Sequence, residues 1–294
     1  MRIMRNIGEN AFRISITLFF ILLSLSTIYP FLNALAYSFS DGIEANIRAI
    51  NVLPAKFTFA NYATVLSDRS ILGSLQISVA RTLLGVLIHL TVVGLAAYAI
   101  SKRFLIFRRG WLLYFIIPIY ISGGLLPYFV VVRYLGLMNS FLVYIIPPAF
   151  SAFELLVMKT YFESLPESIE ESALIDGAGA FAIFTRIVVP ISAPIIATIV
   201  VFHGVWQWNS WFDAMLFVSN TKKHPLQMML QRILLENQAD AMRKASLAGR
   251  MRTNVTSTTI QMTTLIISTV PILCIYPFLQ KYFVKGIMIG AVKG

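Results

Sequence analysis

Charge is what this 294-residue chain has least of: Asp, Glu, Lys and Arg make up 13% of it, against about a quarter in an ordinary soluble domain. Acids are the scarcer sign, 13 against 24 Lys and Arg, and the formal net charge is +11. A single cysteine, Cys274, excludes an intrachain disulfide; lying in an apolar run, it reads as a packing residue rather than a reactive thiol. Three histidines, His89, His203 and His224, lie far apart in the chain and suggest no metal or catalytic centre. There is no phosphate-binding glycine loop, no H-E-x-x-H, no paired-cysteine metal motif and no G-x-S-x-G. These absences argue against an enzyme, and against a cofactor or metal bound by this chain.

What fills the chain instead is apolar: 57% of residues are hydrophobic and the mean hydropathy is +0.76. Six stretches run without Asp, Glu, Lys or Arg, at 14–40, 82–101, 110–132, 134–153, 187–212 and 253–280. Each reaches the length of about 20 residues that a helix needs to cross a hydrocarbon core of about 30 Å. The expectation is an all-α polytopic membrane protein, one domain over 1–294, with about six spans at about 14–39, 74–101, 110–132, 137–157, 187–217 and 254–280. Arg81 falls in the first turns of the second span. The first run follows Arg2, Arg5 and Arg13 and contains Ala34-Leu35-Ala36, which mimics a signal-peptidase site. It is far longer than the 7–15 apolar residues of a signal peptide and reads as a retained helix.

Lys and Arg in short loops tend to stay in the cytoplasm. The loop KRFLIFRR at 102–109 carries four, whereas the loop at 133–139 carries Arg133 alone. That contrast places 102–109 inside and, with six spans, both termini in the cytoplasm. Residues 219–253 then form an extracytoplasmic loop, and the stretch 219–255 holds seven Lys or Arg against Glu236 and Asp240. This excess runs against the rule. It is either a solvated face of the helix-forming segment LQMMLQRILLENQADAMRKA or a surface for an anionic partner. A pI near 9.9 invites a nucleic-acid reading, but basic and aromatic residues do not interleave on any soluble module. Lys and Arg here suit orientation and anionic lipid headgroups.

Ionisable residues within spans mark proton or ion paths. The candidates are Arg81, His89, Glu154, His203 and Asp213, and most lie close to an expected membrane boundary, which argues against an ion-coupled carrier.

The stretch PESIEESALIDGAGA, 166–180, stands out as polar. The cytoplasmic segment 158–187 around it holds five of the 13 acids: Glu163, Glu167, Glu170, Glu171 and Asp176. Ser164 with Glu167 three residues on suits a capping box, and Pro166 suits an early helical position. Leu165, Ile169 and Ala173 form a narrow apolar face on a helix of about ten residues, which Gly177 and Gly179 terminate. A helix so short needs a surface to dock on, either its own membrane domain or a cytoplasmic partner.

Glu171-Ser172-Ala173, then Leu174-Ile175-Asp176-Gly177, then nine residues to Ile187-Val188-Val189-Pro190, resembles the E-A-A…G…I-x-L-P loop of ABC importer permeases. Ser172 stands for the usual second Ala and Val189 for the usual Leu. The resemblance extends along nearly the whole chain to the maltose-type carbohydrate permeases of the second-subunit kind. It runs through FTFANY at 57–62, GGLLPYFVVVRYLGLMNS at 123–140, Pro147-Pro148, VWQWNSWFDAMLF at 205–217 and the C-terminal YPFLQKYFVKGIMIGAVKG.

The resemblance implies a type I importer permease, paired with a second homologous permease, two ATP-binding subunits that carry ATP and Mg, and an extracytoplasmic solute-binding protein. It implies a bacterial cytoplasmic (inner) membrane. The loop would be the coupling helix, with Glu170, Glu171, Ala173, Asp176, Gly177 and Ala178 making or shaping the ATPase contact and Pro190 starting span five. Gly286, Gly290 and Lys293 in the tail would reach the ATPases.

For the substrate, Trp206, Gln207, Trp208, Asn209 and Trp211, together with Tyr128 and Arg133, combine aromatic faces and polar partners that suit sugar rings. Tryptophan also gathers at membrane interfaces. The basic external loop tilts the substrate towards an acidic oligosaccharide such as a uronate fragment of alginate, with a neutral oligosaccharide the alternative. A secondary carrier, the rival of a different class, would need intramembrane ionisable groups or paired repeats.

Overall fold

The computed structural model describes residues 2–47, 52–121, 123–246 and 256–291. Its helices are α1 (Arg2–Ser38), α2 (Gly42–Ile47), α3 (Ala60–Ser67), α4 (Arg69–Ser101), α5 (Arg108–Tyr120), α6 (Leu125–Tyr134), α7 (Ala152–Glu163), α8 (Glu167–Ile175), α9 (Ala180–Ile191), α10 (Ala193–Asn209), α11 (Phe212–Phe217), α12 (Leu226–Ser246) and α13 (Ser257–Ala291). Among the described residues the extended pairing is one isolated bridge, Ser40 to Phe57. The chain is all-α, as its apolar runs require.

Among the described residues, three helical segments are long and apolar enough to cross a membrane unaided: Phe12–Ser38, Arg69–Ser101 and Ser257–Ile275. The runs at 110–132, 137–157 and 187–217 are not the unbroken spans expected of them, and the backbone chemistry explains why. The first divides into α5, which carries Pro118, and α6, which starts after Gly124 at φ +80°. In the second, two 3₁₀ turns, Phe141–Tyr144 and Pro147–Ala149, precede α7, and the two parts meet at 49°. In the third, α9 and α10 meet at 82° around Ser192, between Pro190 and Pro194. Each proline lacks an N–H and clashes with the preceding turn, so a helix crossing it bends or breaks. Non-helical backbone at membrane depth is tolerated where protein surrounds it. Pro190 lies in the last turn of α9, just after a π-turn at Phe184–Val188.

The chain forms two compact units. The first comprises Met1–Arg69 with Arg232–Val270. Every residue of α1 from 12 to 32 is exposed, including Phe19, Phe20 and Leu22, so this helix offers its apolar surface to lipid or a partner. The segment beyond it is clasped by FTFANY. The buried Asn61 donates through Nδ2 to the carbonyls of Ser38 (2.9 Å) and Ser40 (2.8 Å), and Phe39 packs against the rings of Phe57, Phe59 and Tyr62.

The second unit comprises Ser70–Gln231 with Pro271–Gly294. Val93, Ala97 and Ile100 form a buried stripe on α4, and it packs against Leu155, Met158 and Phe162 of α7 and Phe184 and Val188 of α9. Small residues on α4 permit the close approach: a Cβ at Gly94 would lie 3.5 Å from Phe184 and 3.7 Å from Met158. Cys274 corrects the packing expectation, because it is exposed on α13.

Candidate functional site

The acidic stretch folds as α8, bounded more tightly at its C-terminus than at its start. The capping box does not form. Pro166 occupies the N-cap, so Ser164 is two residues too early; its hydroxyl donates back to the Tyr161 carbonyl (2.7 Å), and Glu167 pairs with Arg103 (3.3 Å). At the other end Gly177 adopts φ +82°, its N–H donates to Leu174 O (3.0 Å), and Ala178 N–H donates to Ala173 O (2.9 Å). This is the Schellman pattern, which uses glycine because a left-handed residue with a Cβ is disfavoured.

One face of α8 docks on its own unit: Ala173 is buried in the α4–α7 core, with Leu165 and Ala178 packed beside it. Glu170 is held there as well, accepting from Lys102 Nζ and from the Tyr98 hydroxyl (3.1 Å). Glu163 pairs with Arg108 and with Lys159 (2.9 Å). A groove of about 660 Å³ runs between the basic segment 102–108 and these acids. The other face is free: Glu171, Leu174, Ile175 and Asp176 are exposed, Ile175 by 86%. Of the residues assigned to coupling, Glu171, Asp176 and Gly177 thus lie at the surface, whereas Glu170 and Ala173 anchor the helix from beneath.

The residues grouped as a substrate path divide as well. Trp206 and Tyr128 line one cavity of about 380 Å³, together with Pro147, Pro148, Phe150, Ser151, Glu154 and His203. Arg133 is exposed and is absent from that lining. Trp208 is buried, Trp211 half-buried against Phe212, and Asn209 exchanges a hydrogen bond with Gln227 (3.2 Å). Gln207 is fully buried and serves a different partner, Arg81.

Arg81 is buried in α4. Its guanidinium donates to Gln207 Oε1 (3.1 and 3.0 Å), to both carboxylate oxygens of Asp213 (3.2 and 2.6 Å) and to the Ser210 carbonyl (3.1 Å). It also lies over the Tyr144 ring, 4.4 Å from the centroid, and Gln207 Nε2 donates to Tyr144 O (2.9 Å). The end of α10 leaves carbonyls without helical partners, and Arg81 takes up one of them. Gly85 sits one turn further on because there is no room for a Cβ, which would meet Gln207 Nε2 at 2.4 Å.

One turn beyond Gly85, a second cluster corrects the reading of the histidines as isolated. His89 of α4 and His203 of α10 stack with ring centroids 3.7 Å apart and planes at 10°, and both face Glu154 of α7. His89 Nε2 contacts Glu154 Oε2, and His203 Nδ1 lies 3.8 Å from the same oxygen. His224 is elsewhere, its Nε2 2.9 Å from Val218 O. The signal was present in the sequence as ionisable residues inside apolar runs, but no spacing rule joins positions on α4, α7 and α10. The tail residues Gly286 and Gly290 lie on α13, while Lys293 lies outside the described residues.

No protein-family model matches the chain. Among curated proteins it is 35% identical over 281 residues to the polygalacturonan/rhamnogalacturonan transport system permease protein YtcP of Bacillus subtilis (strain 168), covering 94% of this chain and 96% of that one. It is 36% identical over 268 residues to protein LplC of the same organism, covering 91% and 90%. Among solved structures it is similar to a chain of a bacterial ABC transporter involved in the import of the acidic polysaccharide alginate, with a TM-score of 0.86, 28% identity, and coverage of 94% and 98%. Near-complete coverage at this identity, on an all-α fold, places the chain in a family: it belongs to the sugar and oligosaccharide permeases of ABC importers.

Proposed function

We propose that this chain forms half of the translocation path of an ATP-driven oligosaccharide importer in a bacterial cytoplasmic membrane, and that α8 transmits ATPase motion to it. The observation that carries the reading is the division of α8 into two faces. Ala173, Glu170 and the Gly177 turn fix the helix rigidly to α4 and α7, while Leu174 and Ile175 remain exposed where the chain itself has no use for them. A rigid, exposed apolar knob ringed by acids suits insertion into a partner's cleft.

The partners are then a second homologous permease, two ATP-binding subunits holding ATP and Mg, and an extracytoplasmic solute-binding protein, and this subunit itself catalyses nothing. ATP bound preferentially to one state shifts the inward–outward equilibrium. The ion pairs from Lys102 and Arg103 to α8 keep the basic loop and the coupling element on one side of the membrane, which fits both termini being cytoplasmic. The substrate is an acidic oligosaccharide. Supporting this are the polygalacturonan and alginate transporters among the similar proteins and the basic stretch at 219–253, of which 247–253 lie outside the described residues.

The test is co-purification of the ATPase subunits and ATP-driven uptake of a uronate oligosaccharide with Gly177→Asp and Ile175→Asp. Both variants are expected to insert normally, lose the ATPase and abolish uptake. Full binding and uptake in both would reduce α8 to a connecting loop. Uptake of a neutral oligosaccharide in preference to a uronate by the native importer would overturn the substrate assignment and leave the coupling role standing.

A further inference from the structure

We propose that His89, Glu154 and His203 form a binding site for a late first-row divalent cation such as Zn²⁺, joining α4, α7 and α10. His89 Nδ1 faces the Pro148 carbonyl at 3.3 Å. A carbonyl can only accept, so Nδ1 is the donor in that contact and Nε2 is the ring atom turned towards Glu154. Nε2 contacts Glu154 Oε2. Such a contact needs a positive charge between the two atoms, and a metal ion supplies one as a proton does. His89 Nε2, Glu154 Oε2 and His203 Nε2 are all buried without a hydrogen-bond partner, and the His89 side chain is fully enclosed. In apolar surroundings each such atom is costly, and one cation resolves all three residues together.

The geometry is close to what that cation needs. One ligand atom from each of the three residues lies within 4.8 Å of the other two. Zn–N and Zn–O bonds of about 2.0–2.2 Å allow two ligands of one ion to stand at most about 4.3 Å apart. The 3.8 Å between His203 Nδ1 and Glu154 Oε2 shows the ring within reach of that limit, and rotation of the ring turns its unpartnered Nε2 to the ion. His203 must turn out of its parallel stack on His89 so that the two lone pairs converge.

Two imidazoles and one carboxylate are a donor set that suits zinc and its neighbours rather than Mg²⁺ or Ca²⁺. The His89–Pro148 hydrogen bond is the outer contact by which ligating histidines are usually oriented. Glu154 and His203 also line the cavity shared with Tyr128 and Trp206, so the remaining coordination position opens towards it. This site does not depend on the identity of the transported sugar.

The assembled importer, stripped with chelator and placed in lipid nanodiscs, is titrated with Zn²⁺ alone and with Co²⁺ alone. One equivalent of metal per chain is expected above whatever the partner subunits hold. His203→Gln and Glu154→Gln should weaken that equivalent by at least about 100-fold, beyond the 10–100-fold that loss of an outer contact costs. Trp206 stacks on His203 with centroids 5.7 Å apart, so paramagnetic Co²⁺ should quench its fluorescence, and Zn²⁺ should reverse the quenching. This second readout uses native protein and Trp206→Phe, and so survives if the ligand variants fail to assemble. Native importer that shows neither the additional equivalent nor Trp206-dependent quenching would overturn the proposal and leave a proton shared within the cluster.

Discussion

The two buried polar clusters stand two turns apart on α4 and resolve the same problem in opposite ways. At Arg81 the charge is balanced inside the chain: the guanidinium meets Asp213, Gln207, Ser210 O and the Tyr144 ring, so every direction is taken. At His89 two imidazoles face one carboxylate, and buried atoms of all three residues lack hydrogen-bond partners. A closed network in a low-dielectric setting holds helices together; an open one asks for something from outside. The difference separates a structural joint, fixing the break between α10 and α11 to α4, from a receptive site.

That comparison is broken most severely at Arg81. Taking away one member of a buried ion pair leaves an unpaired charge and costs roughly 3–5 kcal/mol, whereas replacing both with apolar residues is often tolerated. Arg81→Met alone and Asp213→Leu alone are expected to lower the thermal stability of purified protein in nanodiscs sharply. The double variant should recover at least half of the loss. Equal losses in single and double variants would mean that packing, not charge balance, sets the joint.

A smaller perturbation reaches the same network through the backbone. Gly85→Ala places a methyl group 2.4 Å from Gln207 Nε2, so the amide must leave its seat and give up bonds to Arg81 and Tyr144 O. Leaving such buried groups unsatisfied costs about 1–3 kcal/mol. The expected result is a correspondingly lower thermal midpoint with the His89 cluster unaffected, read as unchanged Co²⁺ quenching of Trp206. Wild-type stability would show that Gln207 is not fixed.

Much of this architecture is legible in the residues. Uncharged runs of membrane length foretell the helices, and the Asp176-Gly177 step foretells the turn that ends α8. The three broken spans were not foretold, because counting uncharged residues ignores Pro147, Pro190 and Pro194, whose effect is on backbone donors rather than on polarity. Arg81 falls in the first turns of the span expected at 74–101, and α4 runs through it with the charge paired to Asp213; the partner on α11 is what the sequence does not show. The His89 site left a real trace, two histidines inside apolar runs and an acid at the end of a third, but their pairing exists only once three helices pack. Ser164 and Glu167 had the right spacing for a cap and failed because Pro166 took the position between them.

The least disruptive test carries the comparison to the surface, where α8 is tied by one sheltered ion pair and one exposed pair. Lys102 and Glu170 are 18% and 19% exposed and share Tyr98, whereas Arg103 and Glu167 are 85% and 67% exposed. Water and salt screen the outer pair, whose contribution is roughly 0.2–1 kcal/mol at most. Arg103→Ala should therefore leave hydrogen exchange across 167–178 nearly unchanged, and Lys102→Met, which strands the Glu170 carboxylate, should accelerate it several-fold. Raising the salt concentration should erase the small Arg103 effect and spare most of the Lys102 effect, because a partly buried pair is screened less. If both variants loosen α8 equally, its rigidity comes from the Ala173 contact and the Gly177 turn alone, and the inner pair adds no more than the outer one.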